Sequence, residues 1–216
     1  MNKTDLKLYA ITDRQWLHGA SLSEHVKLAI EGGATMIQIR DKDILSTDSD
    51  AGLKDEYNEA LEIKRICHEH RVPLIINDNV QFAIDIDADG VHLGQDDMNP
   101  AEARKLLGTD KIIGVTAKTV EQAKKAQADG ADYLGSGAVF GSTTKLNAKP
   151  MTKKLLREIT AAVDIPVVAI GGINADNAST LKGTGIAGIA VVGAIFASAD
   201  IKAAARKLAE ICDNML

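Results

Sequence analysis

Aromatic side chains, cysteines and surplus positive charge are all scarce in this sequence, and each scarcity excludes something. Phe, Trp and Tyr make up 3% of the 216 residues, which leaves few rings on which nucleic-acid bases could stack. The formal net charge is −5, against a broad electrostatic role on nucleic acid or a membrane surface. No apolar run reaches the ~18 residues of a membrane span. The longest, Ile186 to Ala197, contains Gly188 and Gly193 and fits a buried strand better. Cys67 and Cys212 sit in helical patterns far apart in sequence and read as reduced thiols of a cytoplasmic protein. In Cys67-His68-Glu69-His70 only Cys67 and His70 share a helix face, so no metal site is expected there. Met1 to Asp5 is polar and runs straight into a strand, so no signal peptide is expected.

What is present is a globular composition, 45% hydrophobic and 25% charged. The length suits one large domain or two small ones. Strand and helix signals alternate throughout. Strands are expected over Leu6–Thr12, Met36–Lys42 (running out into a loop), Val72–Ile76, Gly90–Leu93, Lys111–Val115, Tyr133–Phe140, Pro166–Ile170 and Gly188–Val192. Helices are expected from Ser21, which has capping-box character with Glu24, from the polar loop Ser46–Asp50 to about His70, and from Pro100 to Gly108. Others cover Val120–Ala128, Thr152–Val163, a short stretch after Asn174, and Ile201–Ile211.

About eight βα units follow one another with no linker, which implies a parallel sheet. The two halves echo each other. Gly33-Ala34 before the second strand matches Gly130-Ala131 before the sixth, and Val72-Pro73 before the third matches Ile165-Pro166 before the seventh. A repeat of half the chain suggests two four-unit halves closing one ring. A doubly wound open sheet is disfavoured because the first turn lacks G-x-G-x-x-G. The expected fold is a single-domain (β/α)8 TIM barrel over residues 1–216.

Met36-Ile37-Gln38-Ile39-Arg40-Asp41-Lys42 is the most informative stretch. Its period of two points Ile37 and Ile39 one way and Gln38, Arg40 and Lys42 the other. Strands of a βα unit are covered on both faces, and burying unpaired cations costs several kcal/mol each. An anionic ligand at the strands' C-terminal ends would pair them. An edge strand with a solvated face is the bland alternative.

Other polar residues collect at the same ends. Asp78 and Asp97 follow neighbouring strands; two close carboxylates repel unless a cation or proton lies between them, and oxygen donors suit Mg²⁺. Each could instead cap the helix that follows. Arg40, Lys42 and Lys145 supply positive charge, and Ser142 and Thr144 add hydroxyls, a set suited to a diphosphate. Gly171-Gly172 and Val192-Gly193 read as a phosphate cradle or as tight turns. His92, inside a strand, reads as a core histidine rather than a base. No nucleophile or Schiff-base lysine lies clearly inside a strand.

These motifs resemble the thiamine-phosphate synthase (thiamine-phosphate pyrophosphorylase) family over nearly the whole chain. The specific elements are Gln38-x-Arg40-x-Lys42, Ile76-Asn77-Asp78, Gly90-Val91-His92-Leu93-Gly94-Gln95-x-Asp97, Ser142-x-Thr144-Lys145 and Gly171-Gly172-Ile173. The resemblance implies a transferase that joins 4-amino-5-hydroxymethyl-2-methylpyrimidine diphosphate to hydroxyethylthiazole phosphate, or its carboxylated form, giving thiamine monophosphate and pyrophosphate. It implies that Gln38, Ile39, Arg40, Asp41, Lys42, Asn77, Thr116 and Lys145 hold the pyrimidine diphosphate, with Arg40, Lys42 and Lys145 in the catalytic role. Asp78 and Asp97 would bind Mg²⁺, and Ser142, Thr143, Thr144, Gly172, Val192 and Gly193 the thiazole phosphate. The implied reaction is dissociative: diphosphate leaves, and the thiazole nitrogen captures the pyrimidine-methyl cation.

Several positions depart from the family pattern. Asp41 stands where glutamate is common, Thr116 replaces a serine, Gly141-Ser142 replace Pro-Thr, and Gly193 replaces a serine. The rivals are a thiazole tautomerase of the same barrel, which is expected to need a histidine near the sixth strand, and a non-catalytic thiamine-phosphate-binding barrel. The implied partners are phosphorylated small molecules, not nucleic acid or membrane; a homo-oligomer is left open.

Overall fold

In the computed structural model, which describes residues 1–40, 50–141 and 150–216, eight parallel strands close into a barrel in sequence order. The strands are β1 (Leu8–Ile11), β2 (Met36–Ile39), β3 (Leu74–Asn77), β4 (Gly90–Leu93), β5 (Ile112–Thr116), β6 (Tyr133–Gly137), β7 (Val167–Ile170) and β8 (Gly188–Val191). Tyr9 pairs with Met36 on β2 and with Ala190 on β8, so β1 closes the ring. The helices are α1 (Leu22–Glu31), α2 (Asp50–Glu69), α3 (Val80–Asp85), α4 (Pro100–Leu107), α5 (Val120–Ala128), α6 (Lys153–Ala161), α7 (Gly193–Phe196) and α8 (Ile201–Met215). Among the described residues, no helix is long and apolar enough to cross a membrane.

Strand alternation divides the apolar residues between two cores. Ile37, Ile39, Leu74, Ile76, Val91 and Val115 face outward into one continuous layer beneath the helices. Tyr9, Met36, Ile75, Ile112, Tyr133 and Val168 face inward and fill the barrel. A parallel strand buried on both faces must be apolar on both, which explains the near-continuous hydrophobic runs.

The half-chain repeat has a structural counterpart. Gly33 (φ +109) and Gly130 (φ +93) end α1 and α5 in the left-handed region, where a side chain is strained. Ala34 then bonds back to Ala29 O and Ala131 to Ala126 O, both at 3.0 Å, turning the chain into β2 and β6 in the same way.

Some boundaries differ from the sequence pattern. Leu6 belongs to a 3₁₀ turn (Lys3–Leu6) rather than to β1. β6 stops at Gly137, because Val139 and Phe140 bond to Ile170 O and Gly171 O in an irregular extension beside β7. The Ile186–Ala197 run is not one buried strand: β8 covers Gly188–Val191, and Gly193–Phe196 coil into α7. The short helix after Asn174 is a 3₁₀ turn, Ala178–Leu181. α3 is six residues long, too short to show a helical period. α8 runs a turn past Ile211, because Cys212 and Met215 extend its buried face. The Cys67 and Cys212 thiols are both buried, and burial pushes each up to about 12.

Candidate active site

Inward-facing positions continue past the apolar floor to the barrel's C-terminal rim. Gln38 lies two positions above Met36, Asn77 above Ile75, Thr116 above Gly114, and Val192 above Ala190. Period-two geometry therefore carries each of them to the rim by the same alternation that packs the floor.

Asp78 and Asp97 do not cap helices. The caps are their neighbours: Asn79 Oδ1 accepts from Phe82 N (2.9 Å) at α3, and Asn99 Oδ1 accepts from Ala101 N (2.8 Å) at α4. Asp78 has φ +62, a left-handed conformation that aspartate tolerates better than most residues. Its amide donates to His92 O (2.9 Å), tying the end of β3 to β4, and its Oδ2 accepts from Asn77 Nδ2 (2.6 Å). Asp97 Oδ2 accepts from Gly94 N (2.6 Å).

The two carboxylates press on each other. Burial raises the Asp78 carboxyl to about 6, a hydrogen bond and the charge of Asp97 add to the rise, and Asn77 and Arg40 pull against it. A carboxyl raised by burial and by a facing carboxylate is a fit place for a divalent ion, whose charge relieves both. Among the described residues no set of three or more His, Cys, Asp or Glu could hold a metal. Two hard oxygen donors leaving the remaining positions to phosphate and water match Mg²⁺.

Arg40 follows β2 at the rim. Its amide donates to Thr12 Oγ1 (3.1 Å), and its guanidinium lies 3.9 Å from Asp13 Oδ2. Asp13 is also engaged by Gln15, so the long contact leaves the Arg40 fork able to take an anion. The Ile39 side chain lies in the outer core, so any part it takes in binding falls to its backbone. Asp41, Lys42, Ser142, Thr143, Thr144 and Lys145 lie outside the described residues.

On the opposite arc, Gly171 (φ +100) and Gly172 (φ +63) follow β7. A Cβ at Gly171 would fall 2.4 Å from that of Ala138, and one at Gly172 2.8 Å from Phe140 O, so only glycine fits both the conformation and the space. Asn177 Nδ2 holds Gly172 O at 2.9 Å. Val192 opens α7 with no side-chain cap, and the bonds to its carbonyl come from Ile195 and Phe196. The Gly193 and Ala194 amides therefore stand at a helix start beside this loop. Backbone donors at an uncapped turn suit a phosphate oxyanion.

The sequence pattern did not mark out Tyr9 or Tyr133, yet two of the chain's three tyrosines meet inside the barrel. Their hydroxyls are 2.9 Å apart, and the rings pack edge to face at 5.9 Å. Gln38 Nε2 donates to Tyr9 Oη at 2.5 Å. His92 Nδ1 lies 3.0 Å from Tyr133 Oη, and its Nε2 lies 3.0 Å from Thr116 Oγ1. Desolvation lowers His92 to about 4 and raises both tyrosines well above their ordinary range, so the whole group is neutral near pH 7. The available signal was parity, since Tyr9 and Tyr133 share the inward register with Ile11 and Gly135.

A family model described as thiamine monophosphate synthase matches residues 8–195. A thiamine-phosphate synthase of Ruminiclostridium cellulolyticum is 48% identical over 213 residues, covering 99% of this chain and 98% of that protein. One from Clostridium novyi is 48% identical over 206 residues, with 95% and 98% covered. Among solved structures, the thiamine phosphate pyrophosphorylase of Pyrococcus furiosus superposes with a TM-score of 0.87 at 37% identity, covering 99% of this chain and 98% of that one. This chain belongs to the thiamine monophosphate synthase family.

Proposed function

We propose that this chain is a Mg²⁺-dependent thiamine-phosphate synthase. It joins 4-amino-5-hydroxymethyl-2-methylpyrimidine diphosphate to hydroxyethylthiazole phosphate and releases pyrophosphate. The observation that carries the reading is the Asp78–Asp97 pair within the field of Arg40, on the rim that also holds the Gly171-Gly172 turn and the uncapped start of α7. One barrel mouth thus offers two separate anion sites, as a diphosphate and a monophosphate require.

The bond between the pyrimidine methylene and the diphosphate oxygen breaks, and its electron pair leaves with the diphosphate. The thiazole nitrogen then supplies the pair for the new carbon–nitrogen bond, so no strong base is needed. Arg40, Lys42 and Lys145 provide fixed positive charge for the departing group. A bound Mg²⁺, held by Asp78 and Asp97, would add countercharge to the diphosphate. Asn77, Gln38 and Thr116 line the pyrimidine side. Ser142, Thr143, Thr144, Gly172, Val192 and Gly193 hold the thiazole phosphate, which fixes the nucleophile's approach.

The test is a coupled assay with purified protein, both substrates and Mg²⁺, following pyrophosphate and thiamine phosphate together. Equal formation of both, abolished by a chelator and restored by Mg²⁺, is expected. Absence of both products with either substrate still bound would refute the synthase reading in favour of a binding barrel.

A further inference from the structure

The two glycines after β7 are each held by the carbonyl. Gly171 O accepts from Phe140 N at 3.0 Å, from the β6 side of β7. Gly172 O accepts from Asn177 Nδ2 at 2.9 Å. The Asn177 side chain is itself fixed, because its Oδ1 accepts from Asn174 N at 2.9 Å. Asn174 Oδ1 in turn accepts from Asp176 N (2.9 Å) and Asn177 N (3.3 Å). Turning the Asn177 amide over would set its NH2 against an N–H and its oxygen against a carbonyl, so its orientation is decided. Ile173, between the two asparagine contacts, buries its side chain in the outer core. Three consecutive residues are thus clamped before the 3₁₀ turn Ala178–Leu181 begins.

Both peptide bonds in this turn are trans, and in a trans peptide the N–H points opposite to the preceding C=O. Fixing two carbonyls therefore aims the next two amides. β6 and β8 flank β7. The Gly172 N–H, opposed to a carbonyl held from β6, turns toward the β8 side, where Val192 and Gly193 follow the strand. The Ile173 N–H is turned away from Asn177. Among the described residues neither amide meets an acceptor, and Gly172 is exposed. Two successive amides with no partner in one exposed turn are suited to an oxyanion.

We infer that Asn177 is a positioning residue for the thiazole phosphate: by holding Gly172 O it aims the Ile173 N–H at the phosphate, as a second donor beside the Gly172 N–H. The inference rests on the reading of Gly172 as part of the thiazole phosphate site. Asn177 acts through the backbone and does not itself touch the ligand. The glycine that gives the turn its room also lets the Gly172–Ile173 peptide plane flip, and the bond from Asn177 is what prevents the flip.

Two measurements test this, and the first does not depend on turnover. In protein labelled with ¹⁵N-isoleucine, the Ile173 amide is identified by the signal lost in Ile173→Val. It should move downfield when the parent is saturated with the thiazole phosphate and stay in place with the unphosphorylated thiazole alcohol. In saturated Asn177→Ala the movement should vanish. Asn177→Asp keeps the acceptor for Asn174 N, and so the turn, but loses the donor to Gly172 O; its Ile173 amide should also stay in place. A bound phosphate that leaves Ile173 unmoved in the parent, or moves it as far in the variants, would overturn the inference. If the parent binds no thiazole phosphate, the functional reading fails instead, and the same titration with inorganic phosphate decides the clamp.

The second measurement separates aiming from general support of the fold. In Asn177→Ala, KM for the thiazole phosphate should rise about ten- to a hundredfold, the worth of one hydrogen bond to a charged group. KM for the pyrimidine diphosphate and the affinity for the thiazole alcohol should not change. Equal weakening of all three ligands would make Asn177 merely structural and would refute the inference.

Discussion

Replacing Asp78 by asparagine should stabilise the metal-free protein while removing its Mg²⁺-dependent activity. Asparagine keeps the shape, accepts the same bond from Asn77 and tolerates the left-handed backbone at φ +62. What it removes is a charge facing Asp97. The Asp78 carboxyl rises from 3.8 to about 6 in the folded chain, so between those values the native state binds more protons than the unfolded state, and stability must fall as pH rises. The contribution is fully present below about 4 and is lost as pH passes through 6.

At full strength this difference is worth ~3 kcal/mol. Asp78 is more than a third exposed, and solvent screening reduces the figure to ~1–2 kcal/mol. For a domain of this size 1 kcal/mol moves Tm by about 2–4 °C. In a chelating buffer at pH 7, Asp78→Asn should therefore melt roughly 2–8 °C above the parent, and the gap should close by pH 4. Mg²⁺ should reverse the ranking by stabilising only the parent, by about 2.7 kcal/mol at a hundredfold excess over its Kd. Scanning calorimetry at pH 4 and 7, with and without Mg²⁺, reads all of this. The reasoning fails if the variant is no more stable than the parent at pH 7 in chelator, or if Mg²⁺ raises both melting temperatures equally.

Three shorter predictions follow from the rim. Gly172→Ala, at φ +63 and with Phe140 O 2.8 Å from its new Cβ, should cost about 1–3 kcal/mol of stability. It should also raise KM for the thiazole phosphate far more than KM for the pyrimidine diphosphate in steady-state kinetics. Gly193→Ser restores a hydroxyl where there is room, since its Cβ would meet only Ala197 Cβ at 3.8 Å; KM for the thiazole phosphate should fall roughly ten- to a hundredfold, the worth of one hydrogen bond to a charged group, and an increase would show that the hydroxyl has no phosphate to reach. Lys145→Ala should weaken use of the pyrimidine diphosphate, and unaltered kinetics would return Lys145 to a solvated loop charge.

Local chemistry made the framework legible. Strand–helix alternation and the repeated Gly-Ala turns before β2 and β6 were enough to propose a closed ring of two halves, and both turns have the same left-handed glycine and the same back-bond. Period two placed Gln38 and Arg40 away from Ile37 and Ile39, because a pleated strand leaves no other arrangement. The choice between capping and ligand roles for Asp78 and Asp97 was not legible. Asn79 and Asn99 sit one and two residues further on and are equally good caps, and a shift of one residue in where a helix starts decides which side chain takes the amide.

The sequence by itself determined the order of elements, the inward and outward faces of each strand, and the residue types gathered at the strand ends. These depend on backbone geometry and solvent, and both act over a few residues. Only the closed barrel decided that Asp97 faces Asp78 closely enough to help raise its carboxyl, and that Tyr9, Tyr133 and His92 join Gln38 to Thr116. Those contacts link residues on different strands, as far apart as Tyr9 and Tyr133. Closure brings them within hydrogen-bond reach, and Gly114 opposite Tyr133 and Gly135 opposite His92 make room for those two rings inside a packed interior.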